Sequence, residues 1–249
     1  MPVLPRLLAY AAALGAVLAV AAAPAAAQAP IDTRAGRTSL GSYGQVGHFN
    51  EADLGPAFFT LGQTFRAPAS SDGGAVSLHG FSFWLDAYSF APPPSYAAYV
   101  MAWDGAKATG PVLYRSDVRT GPQWPAVMAE ERFALAAPAA LAPGQSYIAF
   151  LSAAELGAGA PYGEMGLSWV DGADTYADGR VWVAATDDFG ALSTQAWTSH
   201  HAQDLAFRAE FTPAVTTTPE PATWTLMAGG LAACLVSARS GRRRGNAGA

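Results

Sequence analysis

Between residues 58 and 212 the chain alternates short apolar runs with clusters of Gly, Pro and Asp, and no long segment sustains a helical apolar period. Side chains in a strand alternate faces every residue, so runs of this length separated by breakers specify strands and turns rather than packed helices. The strand segments are "FFTLGQTFRA" from Phe58, "AVSLHGFSFWLDAY" from Ala75, "YAAYVMAW" from Tyr96, "PVLYRSDV" from Pro111 and "ERFALA" from Glu131. They continue with "QSYIAFLSA" from Gln145, "GLSWV" from Gly166, "RVWVAA" from Arg180 and "DLAFRAEFT" from Asp204. Turn chemistry stands between them in "APPPS", "WDGAKATGP", "RTGPQWP" and "LAPGQ". Nine or ten such strands predict an all-β fold: a single antiparallel β-sandwich, jelly-roll-like, over residues 28–212.

The pleat is legible in places. In "HGFSFWLD" Phe81, Phe83 and Leu85 share one face and should enter the core, while Ser82, Trp84 and Asp86 share the other. Trp84 is therefore expected on the outer face or under a loop. In "DLAFRAEF" Leu205, Phe207, Ala209 and Phe211 alternate with Ala206, Arg208 and Glu210, the pattern of a half-solvated strand.

Residues 28–218 hold nine of the 14 Lys and Arg and eighteen of the 19 Asp and Glu, a formal charge near −9. Nucleic acid and anionic lipid both require clustered basic charge, so neither is expected as a partner. Cys234 is the single cysteine and lies near the C-terminus, so the domain has neither an internal disulfide nor a thiolate nucleophile. Packing or a bound ion must stabilise it, and a region of about 190 residues buries roughly 70% of its unfolded surface.

The two ends specify an itinerary. Arg6 precedes an apolar run from Leu7 to Ala23, and Ala25 and Ala27 form an A-x-A-like cleavage signal. Residues 1–27 therefore read as a secretory signal peptide. At the other end Ala222 to Ala238 is uncharged, with Trp224 near its start and Arg239, Arg242, Arg243 and Arg244 behind it. As a helix this segment would be about 25 Å long, a marginal span of a hydrocarbon core of about 30 Å. The arginines would hold residues 239–249 in the cytoplasm. Residues 213–221, "PAVTTTPEP", have no core-making content and read as an extended linker, because Pro219 and Pro221 lack backbone donors and disfavour helix before them.

A Pro-Glu-Pro triplet (Pro219, Glu220, Pro221), a short apolar helix and a basic stop, in that order, resemble the PEP-CTERM sorting signal of Gram-negative bacteria. The resemblance implies recognition of the triplet by an exosortase, removal of the helix and tail, and transfer to the cell surface, in species that often make exopolysaccharide. More loosely, the order "GQTF", "FSFWL", "VMAWDGAKATGPVLYRS", "ERFALAAPAALAPGQSYIAFLS", "YADGRVWV", "DLAFRAEF" is similar to the exported β-sandwich regions common in such proteins. That similarity implies a fold and names no ligand.

Catalytic signatures are missing from the sequence: no G-x-S-x-G elbow, H-E-x-x-H, P-loop or dinucleotide fingerprint is present. Glu130 and Glu131 are neighbours and should point to opposite faces of a strand, a poor acid/base pair. The chain is read as a non-enzyme. His200, His201 and Asp204 are close in sequence, but no second cluster of metal-ligand spacing accompanies them. No cofactor is expected apart from a candidate Ca²⁺ loop, in which Asp171, Asp174 and Asp178 would supply oxygens at a spacing that matches no EF-hand. For carbohydrate binding Trp84 and Trp124 are the candidates, since an exposed indole can stack on a sugar face. The expectation is an exported surface or extracellular-matrix protein with a structural or adhesive role linked to exopolysaccharide. Its partners would be the secretion machinery, exosortase and, before processing, the membrane. A carbohydrate-binding module is the alternative, and a glycan-active hydrolase the third.

Overall fold

The computed structural model describes residues 29–35, 40–51, 55–70, 74–87, 92–123, 125, 127–156, 163–170, 174–199 and 203–213, with the side chains of 40–51, 55–59 and 213 excepted. The chain divides at residues 214/215, and every described residue belongs to the first unit. The signal peptide with Ala25 and Ala27, the Pro219–Pro221 triplet, the apolar run and the four tail arginines lie outside the described residues. Among those described, no helix is long and apolar enough to cross a membrane.

The described residues are all-β and antiparallel, in a curled arrangement consistent with a β-sandwich. Their strands are β1 (Ile31–Asp32), β2 (Leu40–Glu51), β3 (Gly55–Arg66), β4 (Val76–Asp86), β5 (Ser95–Trp103), β6 (Ala108–Arg115), β7 (Arg119–Thr120), β8 (Ala129–Leu141), β9 (Ser146–Ser152), β10 (Gly163–Val170), β11 (Val181–Ala185), β12 (Thr198–Ser199) and β13 (Phe207–Pro213). Two 3-10 turns, Ala154–Leu156 and Phe189–Ser193, complete the elements. The main path runs β1-β13-β4-β10-β2-β3-β9-β5-β6, with β8 on β4, β11 on β3 and β7 on β5. Strand β4 has β8 along one edge, with Leu85 opposite Ala129, and β13 then β10 along the other. One layer is therefore β8-β4-β13-β1, and β10 and β2 carry the chain round to the other.

Each strand segment read from the sequence is present, with ends shifted by a few residues. The long strand the sequence concealed is β2. Its "LGSYGQVGHFNE" is interrupted by Gly41, Gly44 and Gly47 and has no apolar alternation, yet β10 and β3 pair with it. Backbone ladders on its neighbours, not its own side-chain pattern, define it.

The core between the layers contains Phe65, Phe81, Phe83, Phe133 and Phe207, each at most 1% exposed. Their rings meet at 5.0 Å (Phe81–Phe133), 5.3 Å (Phe83–Phe207) and 5.7 Å (Phe65–Phe207). Such pairs add about 0.5–1.5 kcal/mol each beyond area burial. Phe81, Phe83 and Leu85 occupy the face their alternation predicted.

Strands β5 and β9 are buried on both faces, which explains their continuous apolar runs. Tyr96, Ala98 and Val100 face the main core, whereas Tyr99, Met101 and Trp103 face a second cluster with Ile148, Phe150, Leu192 and Trp197. The segment from Phe189 to Trp197 closes that cluster. Asp188 caps the 3-10 turn by accepting from Gly190 N at 2.8 Å, and Trp197 Nε1 donates to Leu192 O at 2.8 Å. The "LAPGQ" turn also forms as its residues dictate: Gln145 N donates to Ala142 O at 3.2 Å, with Gly144 at φ +72°.

Candidate functional site

The outer face of the β8-β4-β13 layer is built from the residues that alternate with the core phenylalanines. Ser82 lies opposite both Arg132 and Arg208, and Trp84 opposite Glu130. Arg132 and Arg208 are committed to one carboxylate: Arg132 Nη2 stands 2.6 Å from Glu210 Oε2, and Arg208 Nε 3.6 Å from Glu210 Oε1. Glu131, on the opposite face from Glu130, pairs with Arg119, whose guanidinium lies 4.5 Å above the Phe133 ring.

Trp84 sits at the end of this face and is only 8% exposed. The turn after β1 covers it, with the Arg34 guanidinium carbon 4.0 Å from the ring centroid. One local and two long-range hydrogen bonds hold that turn. Asp32 Oδ1 accepts from Arg34 N at 2.9 Å, and buried Thr33 donates through Oγ1 to Leu205 O at 2.7 Å while accepting from Phe207 N at 2.9 Å. Arg34 Nε is buried without a hydrogen-bond partner, and so is Asp86 Oδ1, two residues along β4 from Trp84 on the same face. An unpaired buried polar atom costs about 1–3 kcal/mol. No ion pair involves Arg34, Asp86 or Glu130 among the described residues.

A second polar centre lies at Asp204, which is fully buried. Its Oδ1 accepts from Gln63 Nε2 at 2.7 Å. Its Oδ2 accepts from Tyr176 N at 2.8 Å, Thr175 N at 2.9 Å and Thr175 Oγ1 at 3.1 Å. Burial pushes its pKa above the ordinary carboxylate range, against the lowering effect of Gln63 and the two backbone N–H groups. Gln63 Oε1 in turn accepts from Leu205 N at 2.9 Å. The carboxylate is thus spent on holding residues 174–180 against β3 and β13, and offers a metal no free side.

A third polar group anchors the Ala154–Leu156 turn. The Tyr99 hydroxyl donates to Glu155 Oε2, and Arg115 Nε stands 2.6 Å from the same oxygen. The Tyr99 hydrogen bond, followed by Arg115, lowers the Glu155 pKa, while burial raises that of Tyr99.

Trp103, Trp182 and Trp197 come together, with ring centroids at 4.7 Å (Trp103–Trp182) and 5.7 Å (Trp103–Trp197). They close the second core. Beside them, β11 and the Ala191–Thr198 stretch border a small uncharged recess of about 190 Å³. His79 Nε2 lies 2.6 Å from Thr212 Oγ1, a polar strand contact. Asp174 and Asp178 are described, but Asp171 is not, and Trp124, His200 and His201 also lie outside the described residues, as does the side chain of His48. No group of three or more His, Cys, Asp or Glu suited to a metal ion occurs among the described residues. Sequence reasoning missed Arg34 and Asp86. Neither stands in a motif, and only the pairing of β1 with β13 and of β13 with β4 brings Arg34 to Trp84.

No family model matches the chain, and no curated protein matches it. Among solved structures it is similar to the cysteine protease and lectin-like domains of Cwp84, a surface layer associated protein of Clostridium difficile. The identity is 10% and the TM-score 0.38, covering 64% of this chain and 33% of that one. A clostridial Cwp84 cysteine protease after propeptide cleavage aligns at 9% identity and TM-score 0.40, covering 71% of this chain and 38% of the other. The chain spans little more than a third of the length of these structures, and a likeness at this level assigns neither fold family nor activity.

Proposed function

We propose that this is an exported protein whose antiparallel β-sandwich, jelly-roll-like in its connections, is delivered to the cell surface by a PEP-CTERM/exosortase-type signal and serves there as a structural or adhesive component linked to exopolysaccharide. The observation that carries the reading is the ordered C-terminal triplet, apolar run and arginine stop in a chain that opens on a signal-peptide pattern. Its body fits that role. It is acidic, so it avoids nucleic acid and anionic lipid, and β5 and β9 are buried on both faces, which stiffens a domain without disulfides. A carbohydrate-binding module is the second reading, favoured by the charged side chains gathered about Trp84, with Arg34 over its ring and exposed Glu130 opposite it.

Intact mass of the protein from its native host, wild type against Glu220→Ala, tests the first reading. Sorting requires a wild-type mass lacking both the signal peptide and the region beyond the triplet, with the variant retaining its tail in the membrane. Retention of residues 222–249 by both proteins would make the triplet a plain linker and remove the main support for a matrix role.

A further inference from the structure

Three charged side chains surround Trp84 and none is neutralised by a described neighbour. Glu130 stands directly across from it on β8, Asp86 two residues along β4, and Arg34 over its ring. Positions diagonal across an antiparallel pair lie about 7–8 Å apart, which is the relation of Asp86 to Glu130 across the β4-β8 pair. Arg34 is already fixed in place. Its guanidinium carbon lies 4.0 Å from the indole centroid, the Thr33 and Asp32 hydrogen bonds hold its backbone, and among the described residues no carboxylate takes up its donors. Here the indole is a base for the guanidinium rather than an open stacking platform, because Trp84 is 8% exposed.

A preorganised donor beside two acceptors selects the chemistry of a ligand. An anionic group would meet Asp86 and Glu130 and a domain of formal charge near −9, and is repelled. A simple cation satisfies the carboxylates but offers Arg34 nothing to donate to. Vicinal hydroxyls do both, accepting from the guanidinium fork while donating to the carboxylates. Exposed Glu130 and half-buried Arg34 and Asp86 are the side chains such a ligand would meet.

We propose that Arg34, Asp86 and Glu130, arranged about Trp84, form a subsite for one neutral hexopyranose unit of an uncharged polysaccharide. The proposal rests on the exopolysaccharide-linked reading above and gives it a contact surface.

The test is calorimetric titration of the full-length chain, in a non-glycosidic detergent, with maltotriose, cellotriose and mannotriose, using trigalacturonate as the acidic control. The expected result is binding of at least one neutral trisaccharide, with affinity falling about tenfold or more in each of Arg34→Met, Asp86→Asn and Glu130→Gln, and weaker still for trigalacturonate. The two acid-to-amide changes are near-isosteric at the surface, and unchanged melting temperatures would show the variants are folded. Wild type binding none of the neutral sugars overturns the proposal. So does binding that survives all three substitutions, or a preference for trigalacturonate. A chain cut at the triplet that binds no sugar would remove the subsite and leave the sorting reading standing, whereas one that binds but stays uncut would do the reverse.

Discussion

At the scale of single residues, stability rests on polar groups with several partners. Asp204 has three N–H donors converging on its carboxylate, from Gln63, Thr175 and Tyr176. In Asp204→Asn an amide NH₂ must face one of those donors whichever way it is turned. A loss of about 1–3 kcal/mol in urea unfolding is expected, and an unchanged midpoint would show that the carboxylate is dispensable. Glu155 has the opposite sign of pKa shift from Asp204. Its folded pKa lies below the ordinary 4.5, so its contribution is fully present above pH about 4.5 and is lost as pH falls through the lower, folded value. The stability difference between wild type and Glu155→Gln should therefore shrink in unfolding curves taken from pH 6 down to pH 3. A difference that grows on acidification would contradict the assignment. The side chain is 38% exposed, so solvent screening keeps this effect small.

Elements are limited by close approach and double-sided burial. At Gly62 on β3, an added Cβ would meet Ala149 O and Phe150 Cβ at 2.7 Å, atoms of the neighbouring strand β9. Neither backbone nor a buried Cβ can yield cheaply, so Gly62→Ala is expected to cost about 1–3 kcal/mol, read as a lowered melting temperature. On the second core, Trp197→Ala removes a ring that packs on Trp103 and Phe150 and an indole N–H bond that anchors the Phe189–Ser193 turn. A loss of about 3–5 kcal/mol is expected, with faster amide exchange confined at first to residues 189–199. Much of this level was legible beforehand. The runs that became β3 to β6, β8 to β11 and β13 announce themselves by apolar spacing. Strand β2 does not, because its glycines supply no pattern and its partners supply the ladder.

For the whole molecule the relevant quantity is charge. A domain with a formal charge near −9 should pass through heparin or immobilised DNA at about 0.15 M salt without retention, and retention there would contradict the exclusion of polyanionic partners. The sequence by itself determined the identity of the apolar strands, the core face of β4, the acidic charge of residues 28–218 and the order of triplet, apolar run and arginines near the C-terminus, because each depends on the identity of neighbouring residues or on a sum over them. Only the tertiary structure decided which polar groups are spent and which are free. Asp204, placed by sequence beside two histidines, is consumed by donors up to 141 residues away, while Arg34, outside every motif, is set on Trp84 with its Nε unpartnered. Partnership of that kind is a property of strands brought together by pairing, and a side chain's commitments depend on neighbours that local periodicity does not encode.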